Sequence, residues 1–582
     1  MRTRRAIATM LAPVLAPALA TALAPTLARA QRAAGGDPPP AAIDSIFARY
    51  DHTNTPGCAL GVYRDERLVY GRGYGMAELN QGVPIGTSTV FYIASTSKQF
   101  TAASIALLVE EGKLSLSDPV RKWIPELPAY TQPITIANLV HHTSGIRDYL
   151  GLWAMSGRSI ADEVPQEMAL DLIVRQRALD FAPGSRYSYS NSGYLLLAEI
   201  VKRASGKSLR DFTTERIFAP LGMSSTQFHD DNTRIVARRA EGYQPDGRGG
   251  FRIVRTSFAL VGDGGLLTTV EDLMKWDANF YHNRLGKGDP ALIAQLVTPE
   301  PTPLASGKPQ TYAFGLMPGS YRGLPVVEHG GAFIGFRAQL LRFPGEHLSV
   351  ALLCNDYTAQ PEAMARQVAD RYLTARFAAV ASSVAGAAGA ASAATPNALV
   401  PNATAPAADV LDRWAGRYEV LPGIVATIAR EGSALTLALM GQRMPLRATS
   451  DSTFVAATSP DAMTFARTPA GVTLLVPQFD MAAPAPRLAA LEALAPAAAA
   501  AYAARYASAE LDTWGTIRAE GSALQLRLRY GDWMVLDPLA RDVFTVRGAG
   551  ARLAFTRDAR GGVRGFTVSA ARTQNLVFER ER

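Results

Sequence analysis

Ser95 and Lys98 stand three residues apart in Phe91-Tyr-Ile-Ala-Ser95-Thr-Ser-Lys98, at the start of a run that keeps helical periodicity until Gly112. The spacing places Ser95 in the first helical turn with Lys98 on the same face. A serine hydroxyl is a poor nucleophile until a base takes its proton, and a lysine desolvated between a helix and a sheet is neutral enough to take it. Of the 8 lysines in the chain, only Lys98 has a serine three positions before it. Farther on, Arg186-Tyr-Ser-Tyr189-Ser190-Asn191 sets a phenol and an amide two residues apart. In a loop or extended segment both face one cleft, where a phenol relays a proton and an amide orients the lysine or the substrate. Tyr281-His282-Asn283 has the same spacing and reads as a helix end. A third group, Val326-Val-Glu-His329-Gly330-Gly331-Ala332, reads as a strand whose paired glycines let a substrate backbone approach closely.

Other chemistries lack their residues. The chain has no Gly-x-Ser-x-Gly elbow and no His-Glu-x-x-His. The adjacent His141 and His142 cannot both face one metal from a strand. Two cysteines, Cys58 and Cys354, cannot build a four-cysteine zinc site. Ser205-Gly-Lys207-Ser208 imitates the end of a phosphate loop, but Val201 holds the position of its first glycine, so Gly206 reads as a helix stop. Gly71-Arg-Gly-Tyr-Gly75 lacks dinucleotide spacing and reads as a close-packed strand. The expectation is catalysis without metal or organic cofactor.

The elements that must position these residues lie in a chain of 582 residues, 48% hydrophobic and 19% charged, which suits several folded domains and excludes a disordered polyelectrolyte. The net charge of +8 falls to +4 once Arg2, Arg4, Arg5 and Arg29 are set aside, too little to argue for nucleic acid. Those arginines flank an apolar Ala/Leu/Pro stretch that ends in Ala28-Arg29-Ala30, so residues 1–30 read as a secretory signal cleaved before Gln31. The Arg4-Arg5 pair leaves twin-arginine export open. The mature protein is expected to be secreted or periplasmic, with no later membrane span. Cys58 and Cys354 sit in apolar strand-like runs, either as core thiols or, if the strands are neighbours in an exported protein, as a disulfide. Residues 41–377 alternate strand-like and helix-like segments. Residues 378–408 hold no charged residue and read as an Ala/Pro-rich linker. Beyond it Trp414-Ala-Gly-Arg-Tyr418 recurs as Tyr502-Ala-Ala-Arg-Tyr506, and Glu431-Gly-Ser-Ala-Leu as Glu520-Gly-Ser-Ala-Leu. A duplicated unit of short alternating strands therefore occupies 409–490 and 497–582, each copy barrel-like and serving as scaffold or cleft cover.

Taken together and in this order, the three chemical motifs resemble the serine beta-lactamase and penicillin-binding-protein family, in its class C-like branch of hydrolases and esterases. Pro56-Gly57, Leu139-Val-His-His142-Thr-Ser-Gly145, Pro220-Leu-Gly-Met223 and Gly264-Gly-Leu-Leu-Thr-Thr269 extend the resemblance to Asn355. It implies an α+β fold: a five-stranded antiparallel sheet flanked by helices, with a helical lobe, here followed by the two small antiparallel β domains. It implies Ser95 as acylated nucleophile, Lys98 and Tyr189 sharing base and acid work, and Asn191 holding Lys98 or the substrate amide. The amides of Ser95 and Ala332 would form the oxyanion hole, His329, Gly330 and Gly331 would line the opposite wall, and His142 would be structural. One departure stands out: no lysine follows Lys308, so the Lys-Thr-Gly strand that grips a substrate carboxylate is replaced by His329-Gly330-Gly331. That favours esters or amino-terminal D-amino-acid amides, in the layout of D-aminopeptidase-type members, acting on a small-molecule or peptide substrate. A DD-peptidase-like activity falls within the same reading; the alternatives are a class C-like beta-lactamase, a penicillin-binding sensor that acylates without turnover and a peptidoglycan-binding module on a dead enzyme. Oligomeric state is not encoded in these motifs.

Overall fold

Two runs of buried residues, Cys58–Arg64 and Leu348–Cys354, are apolar on both faces and lie side by side at the heart of a sheet. The computed structural model describes residues 37–581 apart from 160–161, 163, 256–258, 305–306, 389–405, 440, 457–461, 477–483, 491–493 and 571. The expected signal segment lies outside the described residues.

The sheet strands are β1 (Cys58–Arg64), β2 (Arg67–Tyr74), β3 (Met317–Tyr321), β4 (Leu324–Phe333), β5 (Phe336–Phe343) and β6 (Leu348–Cys354). They pair antiparallel in the order β3-β4-β5-β6-β1-β2. The sheet thus has six strands where the resemblance implied five. The sixth arises from a tight hairpin, in which Arg322 (φ 50°) and Gly323 (φ 83°) both take left-handed conformations and fold β3 back onto β4. Helix α1 (Lys98–Glu110) is buried over nearly its whole length. It packs with the lobe helices α2 (Tyr149–Met155) and α3 (Asn191–Ser205) in one core on one sheet face. The other face is covered by Phe47 from the N-terminal segment and by α4 (Pro361–Tyr372), through Met364 and Val368.

Cys58 and Cys354 are directly opposed across β1 and β6 and form a disulfide, which resolves the two readings left open by the sequence. Gly206 ends α3 with φ 74° and Ser208 caps the following helix, so that pseudo-phosphate motif is a helix stop and restart. A further helix, α5 (Thr374–Ala388), continues past Phe377 into the segment whose composition predicts a linker. Its alanines favour helix more than any other residue, which the absence of charge conceals.

The two repeats fold as antiparallel meanders of eight strands each. The second, Ala504–Ser508 through Thr573–Arg580, is a closed barrel. The first, Gly416–Leu421 through Ala485–Pro486, brings its edges together at a single bridge between Tyr418 and Arg487. The duplication is visible in detail: the Tyr418 hydroxyl donates to the Trp414 carbonyl (2.8 Å), and Tyr506 donates likewise to Tyr502 (2.7 Å). The first repeat keeps a core of its own, whereas the core of the second runs on into that of the helical lobe. At that junction Arg147, 2% exposed, bonds Glu510 at 2.9 Å and the carbonyls of Gln574 and Asn575.

Candidate active site

The chain enters the site through Ala94, a non-glycine residue at φ 47°, and then makes one 3-10 turn, Ala94–Ser97, before α1 begins at Lys98. Such a left-handed residue persists only where its surroundings enforce it. The turn holds Ser95 half-buried at the floor of a cleft of about 840 Å³ that it shares with Tyr189, His329, Gly330, Gly331 and Ala332. The serine therefore sits one turn ahead of the regular helix, still on the face of Lys98.

Lys98 is fully buried and its Nζ has three neighbours: Ser95 Oγ at 3.2 Å, Asn191 Oδ1 at 2.9 Å and the Asp263 carbonyl at 2.6 Å. The last two can only accept hydrogen bonds. A neutral amine satisfies both with its two N–H groups and turns its lone pair toward Ser95. Burial lowers the Lys98 pKa to about 8, opposed in part by the carboxylates of Asp263 and Asp148. The carboxyl of Asp263 is in turn pushed up by burial and accepts from the Tyr149 hydroxyl at 3.1 Å.

Asn191 is the first residue of α3, and Tyr189 precedes it by two in the loop, so from one helix start the phenol lines the cleft while the buried amide meets Lys98. The amide is fixed by Asp148, whose Oδ2 accepts from Asn191 N (2.8 Å) and Nδ2 (3.0 Å), which leaves the amide oxygen of Asn191 for Lys98. The Tyr189 ring lies against Lys98 Nζ, 4.8 Å from its centroid, and its hydroxyl is buried without a hydrogen-bond partner. Burial raises the pKa of this phenol, so it enters any reaction as a proton donor or relay. His142, at φ 57°, accepts from Ser190 N at 3.1 Å and supports that loop as a structural residue.

His329 lies on β4, on the wall opposite Tyr189. Its Nδ1 faces the Gly330 carbonyl at 2.6 Å, and its Nε2 lies 2.8 Å from the Tyr312 hydroxyl. The carbonyl can only accept, so Nδ1 carries the proton and Nε2 accepts from Tyr312. Burial, and then the charge of Lys98, lowers the His329 pKa to about 4. The ring is therefore neutral near pH 7, with both nitrogens occupied. Gly331 also has a purpose within the fold itself. A Cβ on Gly331 would stand 2.1 Å from the Ile93 carbonyl, so this glycine lets β4 press against the turn that carries Ser95. Gly331→Ala is expected to cost roughly 1–3 kcal/mol of stability. Turnover should fall by about tenfold or more as the turn shifts, measured by thermal melting and ester hydrolysis on the same preparation.

The structure thus gathers Ser95, Lys98, Tyr189, Asn191, His329, Gly330, Gly331 and Ala332 around one cleft. It adds Asp148, Asp263 and Tyr312, which sequence reasoning did not single out. It adds also Arg572, from the last hairpin of the second barrel, whose guanidinium reaches the Tyr189 carbonyl at 3.4 Å and the Asp148 carboxylate at 3.8 Å. Among the described residues no cluster of three His, Cys, Asp or Glu gathers as a metal site, and no helix is long and apolar enough to cross a membrane.

The family model described as Beta-lactamase matches residues 43–374. A D-aminopeptidase of Cereibacter sphaeroides is 34% identical over 301 residues, covering 52% of this chain and 57% of that protein. Penicillin-binding protein 4* of Bacillus subtilis is 30% identical over 304 residues, covering 50% of this chain and 65% of that protein. The chain thus spans less than two thirds of the length of these relatives. Among solved structures, the octameric penicillin-binding protein homologue from Pyrococcus abyssi superposes with a TM-score of 0.51 at 21% identity. That likeness, over 84% of this chain and 98% of the other, is one of fold.

Proposed function

This chain belongs to the beta-lactamase family as a serine hydrolase, and from that premise we propose that it cleaves neutral esters and amino-terminal D-amino-acid amides through an acyl-enzyme on Ser95. The observation that carries the substrate class is His329: it occupies the wall where a Lys-Thr-Gly strand would present a cation, yet it is neutral with both ring nitrogens engaged. The His329 ring offers a substrate carboxylate no N–H, and the two guanidinium groups that line the cleft are already engaged, Arg337 by the Ile334 and Phe336 carbonyls and Arg366 by Glu328 and Glu362. Relatives named D-aminopeptidase support the same reading.

In the proposed sequence, neutral Lys98 takes the Ser95 proton as Oγ attacks the carbonyl carbon. The amides of Ser95 and Ala332 stabilise the oxyanion, each such donor being worth roughly 3–4 kcal/mol in the transition state. The proton then passes from Lys98 by way of the Tyr189 hydroxyl to the departing amine or alkoxide. Water attacks the acyl-enzyme by the reverse route, releasing the acid and restoring Ser95. Asp148 acts through Asn191 and positions Lys98. We propose further that the protein works outside the cytoplasm, a reading supported by the Cys58–Cys354 disulfide and by the expected leader.

The test compares kcat/KM for p-nitrophenyl butyrate, D-alanine p-nitroanilide, its L enantiomer and a carboxylate-bearing cephalosporin. The expected order places the ester and the D-anilide at least about a hundredfold above the cephalosporin, with D above L. A cephalosporin turned over fastest would restore the beta-lactamase alternative.

A further inference from the structure

The closed C-terminal barrel packs Tyr506, Phe555, Phe566 and Phe578 against one another inside, but its side chains leave space where it meets α2. A cavity of about 370 Å³ opens between its interior and α2, walled by Leu526, Met534, Leu553, Phe566, Val568 and Phe578. Protein interiors are close-packed, with few voids larger than a water molecule, and a space of this size lies within the range of small-molecule sites. Eight strands enclose an interior that holds either side chains or one small ligand. The wall is apolar almost throughout, which excludes a sugar or a nucleotide. Its polar groups, Asp148, Arg572 and Thr573, gather at one end, the first and last of them buried and Arg572 reaching solvent. The Asp148 carboxylate is turned away toward Asn191 and Leu150, accepting three N–H groups. Arg572 is 42% exposed; its Nη1 is shared between the Tyr189 carbonyl at 3.4 Å and the Asp148 carboxylate at 3.8 Å, which leaves Nε and Nη2 to meet an anionic head. Gly151 on α2 keeps this end in place: a Cβ there would meet Thr573 Oγ1 at 2.7 Å.

We propose that the barrel binds a medium-chain linear alkyl carboxylate, its chain in the cavity and its head on Arg572. This site is separate from the Ser95 cleft and does not depend on the proposed substrate. Because Arg572 also touches Asp148 and Tyr189, an occupied cavity sits one side chain away from the groups that position Lys98.

The test is calorimetric titration of the full chain with hexanoate through dodecanoate, repeated after Ser95 has been capped by a fluorophosphonate. The expected result is one site per chain that survives capping. Its affinity should rise about fourfold per added methylene and then stop at a cut-off length set by the cavity. On the Ser95-capped protein the methyl ester and the alcohol of the best chain should bind at least about tenfold more weakly, and Arg572→Ala should bring the acid down to their level. Val568→Trp should abolish binding, with a cooperative melt confirming its fold; Val546→Phe fills the same space if that variant does not fold. Absence of saturable binding, binding lost on capping, affinity that climbs with no cut-off, or unchanged binding in a folded cavity-filled variant would each overturn the proposal.

Discussion

Ser95→Ala will lower turnover of p-nitrophenyl butyrate by about 10⁴-fold or more while leaving the fold intact. The size of the effect follows from the mechanism: with Oγ gone no acyl-enzyme can form, and what remains is the catalysis that binding and an oxyanion hole provide alone. The fold should tolerate the change because the hydrogen bond lost is the 3.2 Å contact with Lys98, in a turn held by other groups. Ser97 Oγ donates to the Ala94 carbonyl and accepts from Leu266 N, and Thr96 Oγ1 reaches the His329 carbonyl at 3.5 Å. A melting temperature within a few degrees of wild type, together with loss of labelling by a fluorophosphonate, separates loss of the nucleophile from loss of structure. Retained labelling would place the nucleophile elsewhere.

Lys98→Met comes next in magnitude, with an expected loss of roughly 10³-fold in kcat/KM and a change in the shape of the pH profile. The sign follows from the depressed pKa. Below about 8 the amine holds its proton and cannot accept that of Ser95; above it the lone pair is free. Wild-type kcat/KM should therefore rise with pH and level off above about 8. Of the groups around Lys98, His329 titrates near 4 and the Tyr189 phenol is shifted upward, which leaves the buried Asp263 carboxyl, also pushed up, as a rival for that limb. The methionine variant should lose the limb along with the rate. Lys98→Arg keeps a permanent cation and should be as inactive as the methionine variant. An alkaline limb that survives in Lys98→Met would assign it to another group.

The chemistry of this protein was legible where it rests on short spacing. Ser-x-x-Lys needs only a helix start, and Tyr-x-Asn needs only a loop running into a helix, so residues close in sequence stay close in space. The groups that set their properties were not legible, because each arrives through a tertiary contact. Asp148 reaches Asn191 across 43 positions, the Asp263 carbonyl reaches Lys98 across 165, and Arg572 reaches Tyr189 across 383. Tyr312 carries no motif, yet its hydroxyl occupies the Nε2 of His329, whose tautomer the Gly330 carbonyl sets. The disulfide required the register that sets Cys58 opposite Cys354, and two apolar runs do not specify a register. The sixth strand depends on Arg322 adopting a left-handed conformation, for which the sequence offers only the following glycine. Gly331 was recognisable as a point of close approach, but its partner is the protein's own Ile93 carbonyl.

The decisive experiment follows the time course of p-nitrophenol release from p-nitrophenyl butyrate alongside intact-mass spectrometry of the quenched enzyme. A burst of one equivalent, a butyryl increment that maps to the peptide carrying Ser95, and continuing steady turnover are the expected results. Steady turnover in Ser95→Ala, or a butyryl increment on any other residue, would contradict a Ser95 acyl-enzyme hydrolase. A single burst with a stable adduct would make the protein a sensor that acylates and stops.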